Sequence, residues 1–363
     1  MSFGLIKRFK DLKKNPEGGV KKTFAKHVII GHDLGAIIKL IELRKENSAE
    51  QVRLISNKPL SQKSIYEDYQ NTVSLIRSSA GVEAIYKKLF NAKILPQSND
   101  PVFYKDGKFH DFNGRAKPME LLGNEMFFTT KGYEYFIESF FDSADWEKLD
   151  ELLKTSQDMK IFESIEKSDP QDLVEKEEWS LTFKDFTELG AENLYISVAP
   201  HKFLKLITNK NDLDSSLIDF CSATESISAM NVSFELTKDF GLNSQTLFVP
   251  QSMTHEWGHF IVEFKDSHLC NVLFLINEEE PQAEDLGAKI KLMKRVLERV
   301  FPDFEKSIKA ETIRFDSDMF IQGVRDEALL EVIQKYPTLE FLGQSKLVDP
   351  DLSGEQYLTR TLI

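Results

Sequence analysis

The segment THEWGHF, residues 254–260, has the residue types and spacing of a zinc-binding site. His255, Glu256 and His259 form an H-E-x-x-H pattern. On a helix, residues four apart lie one turn above each other, so both imidazoles could bind one Zn²⁺ while Glu256 acts as general base on the bound water. Glu278 lies 19 residues after His259 and could supply a third ligand. This spacing makes a glutamate-type zinc peptidase one hypothesis.

The residues around the motif favour strands over the helix that such a site requires. HFIVEF (259–264) and NVLFLIN (271–277) are β-branched and aromatic runs, and MNVSFEL and TLFVP precede them with the same composition. Residues four apart in a strand are separated by roughly 13 Å, too far to share an ion whose ligand bonds are ~2 Å. Gly258 weakens a helix further. We therefore predict an antiparallel β-meander and no metal site.

The composition indicates a folded protein with an acidic surface. Of the 363 residues, 41% are hydrophobic and 29% are charged, which suffices for a large core or for two domains. No apolar run reaches the ~20 residues of a membrane span, and the start lacks the apolar core of a secretory signal. Cys221 and Cys270 have no metal-ligand spacing, which favours buried thiols and a cytoplasmic location. A net charge of −13 disfavours nucleic acid as a partner.

The N-terminus has the opposite charge. Residues 1–26 contain eight Lys or Arg and only two acids. Apolar residues recur every three positions at Phe3, Ile6, Phe9 and Leu12. This pattern predicts a short amphipathic helix that NPEGGV ends, so we assign residues 1–25 to a basic amphipathic arm. The arm could pack on the acidic body of the chain, or make peripheral contact with an anionic membrane.

Residues 27–56 have the order of a nucleotide-binding unit. A short apolar strand (28–30) leads into a glycine turn, a helical repeat follows over 36–43, and a second strand covers 52–55. A β-turn-α-β unit of about thirty residues is typical of the start of a dinucleotide-binding domain, where the turn reads G-x-G-x-x-G. The positions that correspond to this turn are Gly31, Asp33 and Ala36, with a further glycine at Gly35.

From this turn onward the chain resembles the flavin amine oxidases and their relatives, the phytoene desaturases and protoporphyrinogen oxidases. Similar segments follow in the family's order: TTKGYEYFIESF (129–140), ENLYISVAPHKFLKLI (192–207), KRVLERVFPDF (294–304) and LEFLGQSKLVDPDLSGEQYL (339–358). The resemblance covers nearly all of the chain beyond residue 26. It implies an α/β fold with FAD as the cofactor, in which a Rossmann-like FAD/NAD(P)-binding domain is interleaved with a mixed α+β substrate-type domain containing an antiparallel sheet.

The same resemblance implies that several flavin-binding positions are replaced. Asp33 puts a carboxylate where the family has a second glycine beside the pyrophosphate. Ser56 ends the second strand, where the family has an acid for the ribose hydroxyls, and LSQK replaces a Gly-Gly-Arg run. Gly343 and Gln344 replace a Gly-Asp pair whose carboxylate contacts the cofactor. We therefore predict that FAD binding is lost or weak.

The resemblance also implies a division into interleaved domains. The dinucleotide-binding-like domain is predicted to comprise residues 26–62, 125–215 and 306–363. The substrate-type domain is predicted to comprise residues 63–124 and 216–305.

Three functional hypotheses follow. The favoured hypothesis is a non-catalytic derivative of the flavoprotein fold, a pseudoenzyme that binds an unknown protein or a small apolar ligand. The first alternative is an active FAD-dependent oxidoreductase in which Gly31, Gly35 and the following helix N-terminus hold the pyrophosphate. The second alternative is the zinc peptidase. The sequence identifies no catalytic residue under the first two hypotheses.

Overall fold

The structure is a computed structural model that describes residues 22–61, 64, 102–105, 107–111, 146–168, 177–242, 245–249, 260–276 and 283–343. The strands are β1 (Lys22–Ile30), β2 (Val52–Ser56), β3 (Val102–Lys105), β4 (Lys108–Asp111), β5 (Gln157–Met159), β6 (Phe162–Lys167), β7 (Trp179–Phe183), β8 (Glu188–Ile196), β9 (Glu225–Leu236), β10 (Gln245–Val249), β11 (Phe260–Phe264), β12 (Leu269–Ile276), β13 (Ile308–Gln322) and β14 (Leu339–Phe341). The helices are α1 (Leu34–Leu43), α2 (Trp146–Ser156), α3 (Pro200–Leu206), α4 (Ser215–Ser222), α5 (Ala283–Val300), α6 (Phe304–Ser307) and α7 (Asp326–Lys335).

Sheet A is the Rossmann-like layer. Its strands lie in the order β5-β2-β1-β8-β7-β6, and β14 also pairs with β8. Strands β5, β2, β1, β8 and β14 run parallel, while β7 and β6 extend the sheet in antiparallel fashion. Val28, Ile29 and Ile30 at the end of the central strand β1 are at most 2% exposed. Such burial is expected of a parallel strand that is covered on both faces.

Helix α1 confirms the predicted β-turn-α-β unit. It follows β1 directly, packs against β1 and β2, and buries Ala36, Ile37 and Leu40. The helix begins at Leu34, two residues before the apolar repeat at residue 36, because Asp33 caps its N-terminus. The helix ends at Leu43 as predicted, and the second strand, β2, ends one residue beyond the prediction, at Ser56.

Strand β1 is longer than the predicted strand 28–30. It begins at Lys22, and residues 22–25 pair with residues 188–191 of β8. The charged and polar residues among them hide this strand from a local pattern, because it is the pairing with a distant strand that orders them. Residues 22–25 therefore belong to sheet A and not to the basic arm; residues 1–21 lie outside the described part of the chain.

Sheet B has the antiparallel meander that the sequence predicts. Its strands lie in the order β13-β9-β12-β11-β10-β3-β4, and neighbours from β13 to β10 are antiparallel. One face packs against α5 and α6, and the core there includes Val232, Phe234 and Val262 from the sheet with Val296 and Phe304 from the helices. The alternation of these buried residues along each strand is the two-residue period of a sheet with one face on a helical layer.

Strand β13 is an edge strand of sheet B. It pairs with β9 in sheet B, with a register irregularity between Asp316 and Phe320. Since β13 lies within the predicted segment 306–363 and β14 in the same segment belongs to sheet A, that segment contributes strands to both sheets. The domain boundaries themselves remain a prediction.

Both cysteines lie in the described part of the chain. Cys221 and Cys270 are buried free thiols, as predicted, and burial raises the pKa of Cys221 to about 12.

Among the helices of the described ranges, none is long and apolar enough to cross a membrane.

Candidate functional site

A cleft of about 720 Å³ lies at the carboxyl ends of β1, β2 and β8. This is the edge at which open α/β sheets bind their ligands. Its lining includes the ends of these strands, residues of α3, and residues 314–321 of β13 in part. The side of the cleft formed by sheet A and α1 is called the floor here, and the side formed by β13 and α3 is called the β13 wall.

Gly31 begins the floor, and its packing requires a glycine. Its φ is +140°, a region that side chains disfavour, and a Cβ built on it would lie 2.6 Å from Ser197 Cβ. The close approach follows from sheet pairing, because Ser197 N–H donates to the Ile30 carbonyl at 2.8 Å while Gly31 N–H donates to Ile55 at 3.1 Å. The glycine therefore allows β1 and β8 to converge, whatever ligand the cleft binds.

Asp33 places a carboxylate at the N-terminus of α1. Its Oδ1 accepts from the Ala36 N–H at 2.9 Å and from the Ser197 hydroxyl. The chain after β14 also approaches it, since a Cβ built on Gly343 would lie 3.0 Å from Asp33 Oδ2. The helix N-terminus, where an anionic ligand is favoured by the dipole and free N–H groups, thus holds a side chain of the protein.

The surroundings of Asp33 disfavour its charged form. The side chain is exposed to the cleft, with Ser197 and Gly343 beside it. Loss of bulk solvation raises the pKa of the Asp33 carboxyl, and the hydrogen bonds from Ser197 and Ala36 oppose this rise only in part. Asp33 is therefore a carboxyl group whose protonation state and cap function are coupled.

Gly35 and Ala36 lie in the first turn of α1. Both are buried, and Ala36 is fully so. Of the four turn positions predicted from the sequence, Gly31 and Asp33 line the cleft, whereas Gly35 and Ala36 form the packed base of the helix. Ala36 reaches the site through its N–H, which Asp33 occupies.

Ser56 ends β2 at the floor, as the sequence predicts, but its hydroxyl is directed to the adjacent turn. It is 1% exposed, accepts from the Lys58 N–H at 3.1 Å and donates to the Lys58 carbonyl. Gln157 of β5 binds the same turn, donating to the Lys58 carbonyl at 2.8 Å and accepting from Leu60 N–H at 3.1 Å. The turn is thus held by protein groups on both sides.

Of the predicted cofactor-binding pair Gly343 and Gln344, the structure describes Gly343. Gly343 has a φ of +59° and lies beside Asp33 and Ser197 at the floor, which a glycine permits because it has no side chain there. Gln344 lies outside the described residues.

The β13 wall carries charged residues that the sequence analysis did not identify. Lys202 of α3 forms an ion pair with Asp318 of β13 at 2.7 Å, and the Ser226 hydroxyl donates to Asp318 at 2.6 Å. Arg314 of β13 and Lys58 of the floor also line the cleft. No local motif marks these residues, because they meet only through the pairing of β13 with β9.

The zinc motif falls outside this site. His255, Glu256, His259 and Glu278 lie outside the described residues. Strand β11 begins immediately after the motif, at Phe260, which confirms the strand predicted there. Within the ranges that the structure describes, no group of three or more His, Cys, Asp or Glu side chains is arranged to hold a metal ion.

Comparison with known proteins identifies relatives by structure and not by sequence. No protein-family model and no curated protein matches the chain. A candidate protoporphyrinogen oxidase from Exiguobacterium sp. 255-15 matches with a TM-score of 0.57 and 9% identity, covering 93% of this chain and 97% of that one. The fatty acid isomerase of P. acnes that produces CLA matches with a TM-score of 0.55 and 9% identity over 93% and 97%. A putrescine oxidase double mutant with redesigned cofactor binding matches with a TM-score of 0.52 and 9% identity over 94% and 96%.

These matches span both sheets and nearly the whole length of the relatives. At 9% identity they establish the fold, and they agree with the resemblance to amine oxidases and protoporphyrinogen oxidases that the sequence predicts. The chain has the amine-oxidase-like fold, a Rossmann-like FAD-binding-type layer with a second, antiparallel sheet.

Proposed function

We propose that this protein is a non-catalytic binding protein built on the flavoprotein fold, and that its cleft takes a small ligand other than FAD. The observation that carries the proposal is the Asp33 carboxylate at the N-terminus of α1, held there by Ser197 and Ala36. In the family that the sequence resembles, the pyrophosphate of the cofactor takes this position.

Electrostatics make the position unfavourable for a diphosphate. Two like unit charges 4 Å apart repel by about 1 kcal/mol in water and by about 4 kcal/mol at an effective dielectric constant of 20. A pyrophosphate beside ionised Asp33 would meet this repulsion and would also compete with a cap already in place. Protonation of Asp33 would relieve the repulsion, but the side chain would still fill space that a glycine leaves open.

The ribose position supports the same proposal. Ser56 lacks the carboxylate that the resemblance requires, and its hydroxyl already binds the backbone of Lys58 in both directions. The residues present at these two positions therefore do not fit FAD, and we derive no reaction step through a flavin.

FAD titration by isothermal calorimetry tests the proposal. We expect no saturable binding of FAD to the wild type. Asp33→Gly should bind FAD at least about tenfold more tightly, because the repulsion that the variant lacks is worth at least RT ln 10, the free energy of a tenfold change in affinity. Asp33→Asn is the matched control: it keeps the bulk and the cap acceptor but removes the charge, so it separates repulsion from space filling. Tight stoichiometric binding of FAD to the wild type would overturn the proposal.

An active FAD-dependent oxidoreductase with an atypical cradle is the second candidate. The positive residues Lys58, Lys202 and Arg314 along the cleft favour it, because they could hold a diphosphate away from α1. Loss of cofactor in Gly31→Val would not test it, since a side chain at Gly31 collides with Ser197 in any case. Stoichiometric flavin in the wild-type protein, unaffected by Asp33→Gly, is the result that this candidate predicts.

A further inference from the structure

Strand β13 has one side at which a further strand could pair. It lies at the edge of sheet B, and among the strands that the structure describes it pairs only with β9. Its 15 residues make it much longer than β4, the strand of 4 residues at the opposite edge of the sheet. The N–H and C=O groups along the outer side of an edge strand are a template for the addition of another strand.

The part of this edge that can accept another strand is short and well defined. Residues 310–316 pair with β9 in continuous register, and a register irregularity lies on either side of them. Such irregularities bend a strand and end its pairing. Residues 310–313 and Phe315 are exposed, and Arg314 is half-buried. The edge is therefore accessible over about the length of one ordinary strand.

Two apolar side chains are exposed on one face of this edge. Ile313 is 50% exposed and Phe315 is 38% exposed. They lie directly opposite Val232 and Met230 of β9, which are buried in the core between sheet B and α5. Opposite residues of neighbouring strands share a face of the sheet. Ile313 and Phe315 therefore extend the apolar face of sheet B to its edge, and both are residue types that favour pairing with a further strand.

The charged side chains of this edge interact with groups of the same chain. Edge strands commonly carry charges that keep other strands away. Here Lys309 forms an ion pair with Glu235 of β9, and Glu311 forms an ion pair with Lys294 of α5. Arg314 also interacts within the chain. These compensated charges protect the edge less than uncompensated charges would.

We propose that the edge of β13 is a dimer interface, at which residues 310–316 of two copies of the chain pair as antiparallel strands about a two-fold axis at Ile313. This register places Ile313 opposite Ile313 of the second copy and diagonal to Phe315 of the second copy. Four apolar side chains then form one cluster across the interface. Dimers of this symmetry are the commonest soluble oligomers, and their interface is self-complementary. The inference does not depend on what the cleft binds.

The side chains favour this register over its two neighbours. The register can shift only in steps of two residues, because a shift by one would pair side chains of opposite faces. A shift in one direction would place Arg314 opposite Arg314 of the second copy, and like charges in opposite positions are destabilising. A shift in the other direction would place Ile313 opposite Glu311 and would separate the apolar side chains. In the proposed register Arg314 lies opposite Thr312, and no like charges are opposite each other within residues 310–316.

Sedimentation velocity of the full chain over a concentration series tests for the dimer. We expect the average mass to rise from that of one chain toward that of two. Ile313→Lys removes the central apolar pair and places two like charges opposite each other, so it should raise the dissociation constant of the dimer at least about tenfold. Ile161→Lys is the matched control, because Ile161 is 58% exposed but lies between β5 and β6 of sheet A; it should leave the dissociation constant unchanged. Thermal unfolding of each variant verifies that the fold is retained.

Cysteine cross-linking tests the register. Ile313→Cys places two thiols opposite each other at the axis, where Cβ atoms are about 4.5–5.5 Å apart and a disulfide can form after a small adjustment. Ala310→Cys is the control on the same exposed edge, since its two thiols would be about 20 Å apart at ~3.3 Å per residue. The native Cys221 and Cys270 are buried and should not react. Mild oxidation should therefore link Ile313→Cys into a covalent dimer and leave Ala310→Cys unlinked.

Several outcomes would overturn the inference. One is a mass of one chain at every concentration up to about 100 µM, which would mean that the edge is covered by another segment of the chain or by a different protein. Others are an unchanged dimer in Ile313→Lys and assemblies larger than two chains, because a two-fold interface closes at the dimer. Equal cross-linking of Ile313→Cys and Ala310→Cys would show nonspecific association. The proposed function is tested separately by flavin binding, so either can fail without the other.

Discussion

The two sides of the cleft use their polar groups differently. At the floor, Asp33 and Ser56 are bound to neighbouring hydrogen-bonding groups of the protein. On the β13 wall, Lys202 and Asp318 pair across two elements, and Arg314 lines the open volume between them and the floor. The comparison shows that the polar side chains of the floor bind neighbouring groups next to them, whereas Lys202 and Asp318 of the β13 wall pair between a helix and a strand that are distant in sequence.

Gly31 is required by the fold independently of any ligand. Its positive φ and its contact with Ser197 follow from the convergence of β1 and β8. A fingerprint glycine at this position is therefore required by packing alone, and its presence does not by itself indicate a bound cofactor.

The largest expected effect comes from filling the floor at Gly31. Gly31→Ala should lower the free energy of unfolding by about 2–4 kcal/mol, since the Cβ meets Ser197 and φ is unfavourable. Gly241→Ala is the control: its φ is +72° but nothing lies within 4 Å of a Cβ there, so it should cost only about 1 kcal/mol. Urea unfolding measures both. Equal losses of unfolding free energy in the two variants would mean that backbone strain, and not the close packing of the floor, makes glycine necessary at position 31.

A smaller effect is expected on the β13 wall. Asp318→Asn keeps an acceptor for the Ser226 hydroxyl but removes the ion pair with Lys202. The side chains of Lys202 and Asp318 are 29% and 32% exposed. We expect a loss of about 0.5–1 kcal/mol in the free energy of unfolding, the range of a half-exposed pair. An unchanged free energy of unfolding would contradict a stabilising ion pair between Lys202 and Asp318.

The smallest effect concerns the pH dependence that Asp33 contributes. Its pKa is raised in the folded protein above the ordinary value of about 3.9. The folded state therefore holds this proton more tightly than the unfolded chain. The stabilisation that protonated Asp33 contributes is fully present below the ordinary carboxyl pKa. It is lost as pH rises through the raised pKa of the folded state. Asp33→Asn should consequently gain stability relative to the wild type as pH rises above the ordinary carboxyl pKa of about 3.9.

Asp303 provides a control of opposite sign. Its exposed carboxyl has a lowered pKa, chiefly through the hydrogen bond from Lys306, so Asp303→Asn should lose stability relative to the wild type as pH rises. Unfolding free energies of the three proteins over the same pH series provide the measurement. Parallel curves for wild type and Asp33→Asn would show that the floor does not perturb this carboxyl.

The sequence predicts the parts of the fold that depend on local pattern. The β1-α1-β2 unit has its glycine turn, its helical repeat and its apolar strand ends within thirty residues, and the meander from β9 to β12 has β-branched and aromatic runs separated by polar residues, Gly or Pro. The extension of β1 back to Lys22 and the placement of β13 in sheet B depend on pairing with distant strands. No local periodicity encodes such pairing.

The candidate site divides in the same way. Gly31, Asp33 and Ser56 could be found because they follow the strands of a recognisable unit. Lys202, Asp318 and Arg314 could not, since their meeting requires the register of β13 against β9 and its approach to α3.

The flavin content of the purified protein tests the central claim most directly. The full chain, produced in cells supplied with excess riboflavin, is purified untagged; its visible spectrum is recorded, and flavin released by denaturation is quantified against protein. We predict a colourless protein with far less than one flavin per chain for the wild type. A yellow protein with one flavin per chain would contradict the account, since the pyrophosphate would then bind despite the carboxylate of Asp33.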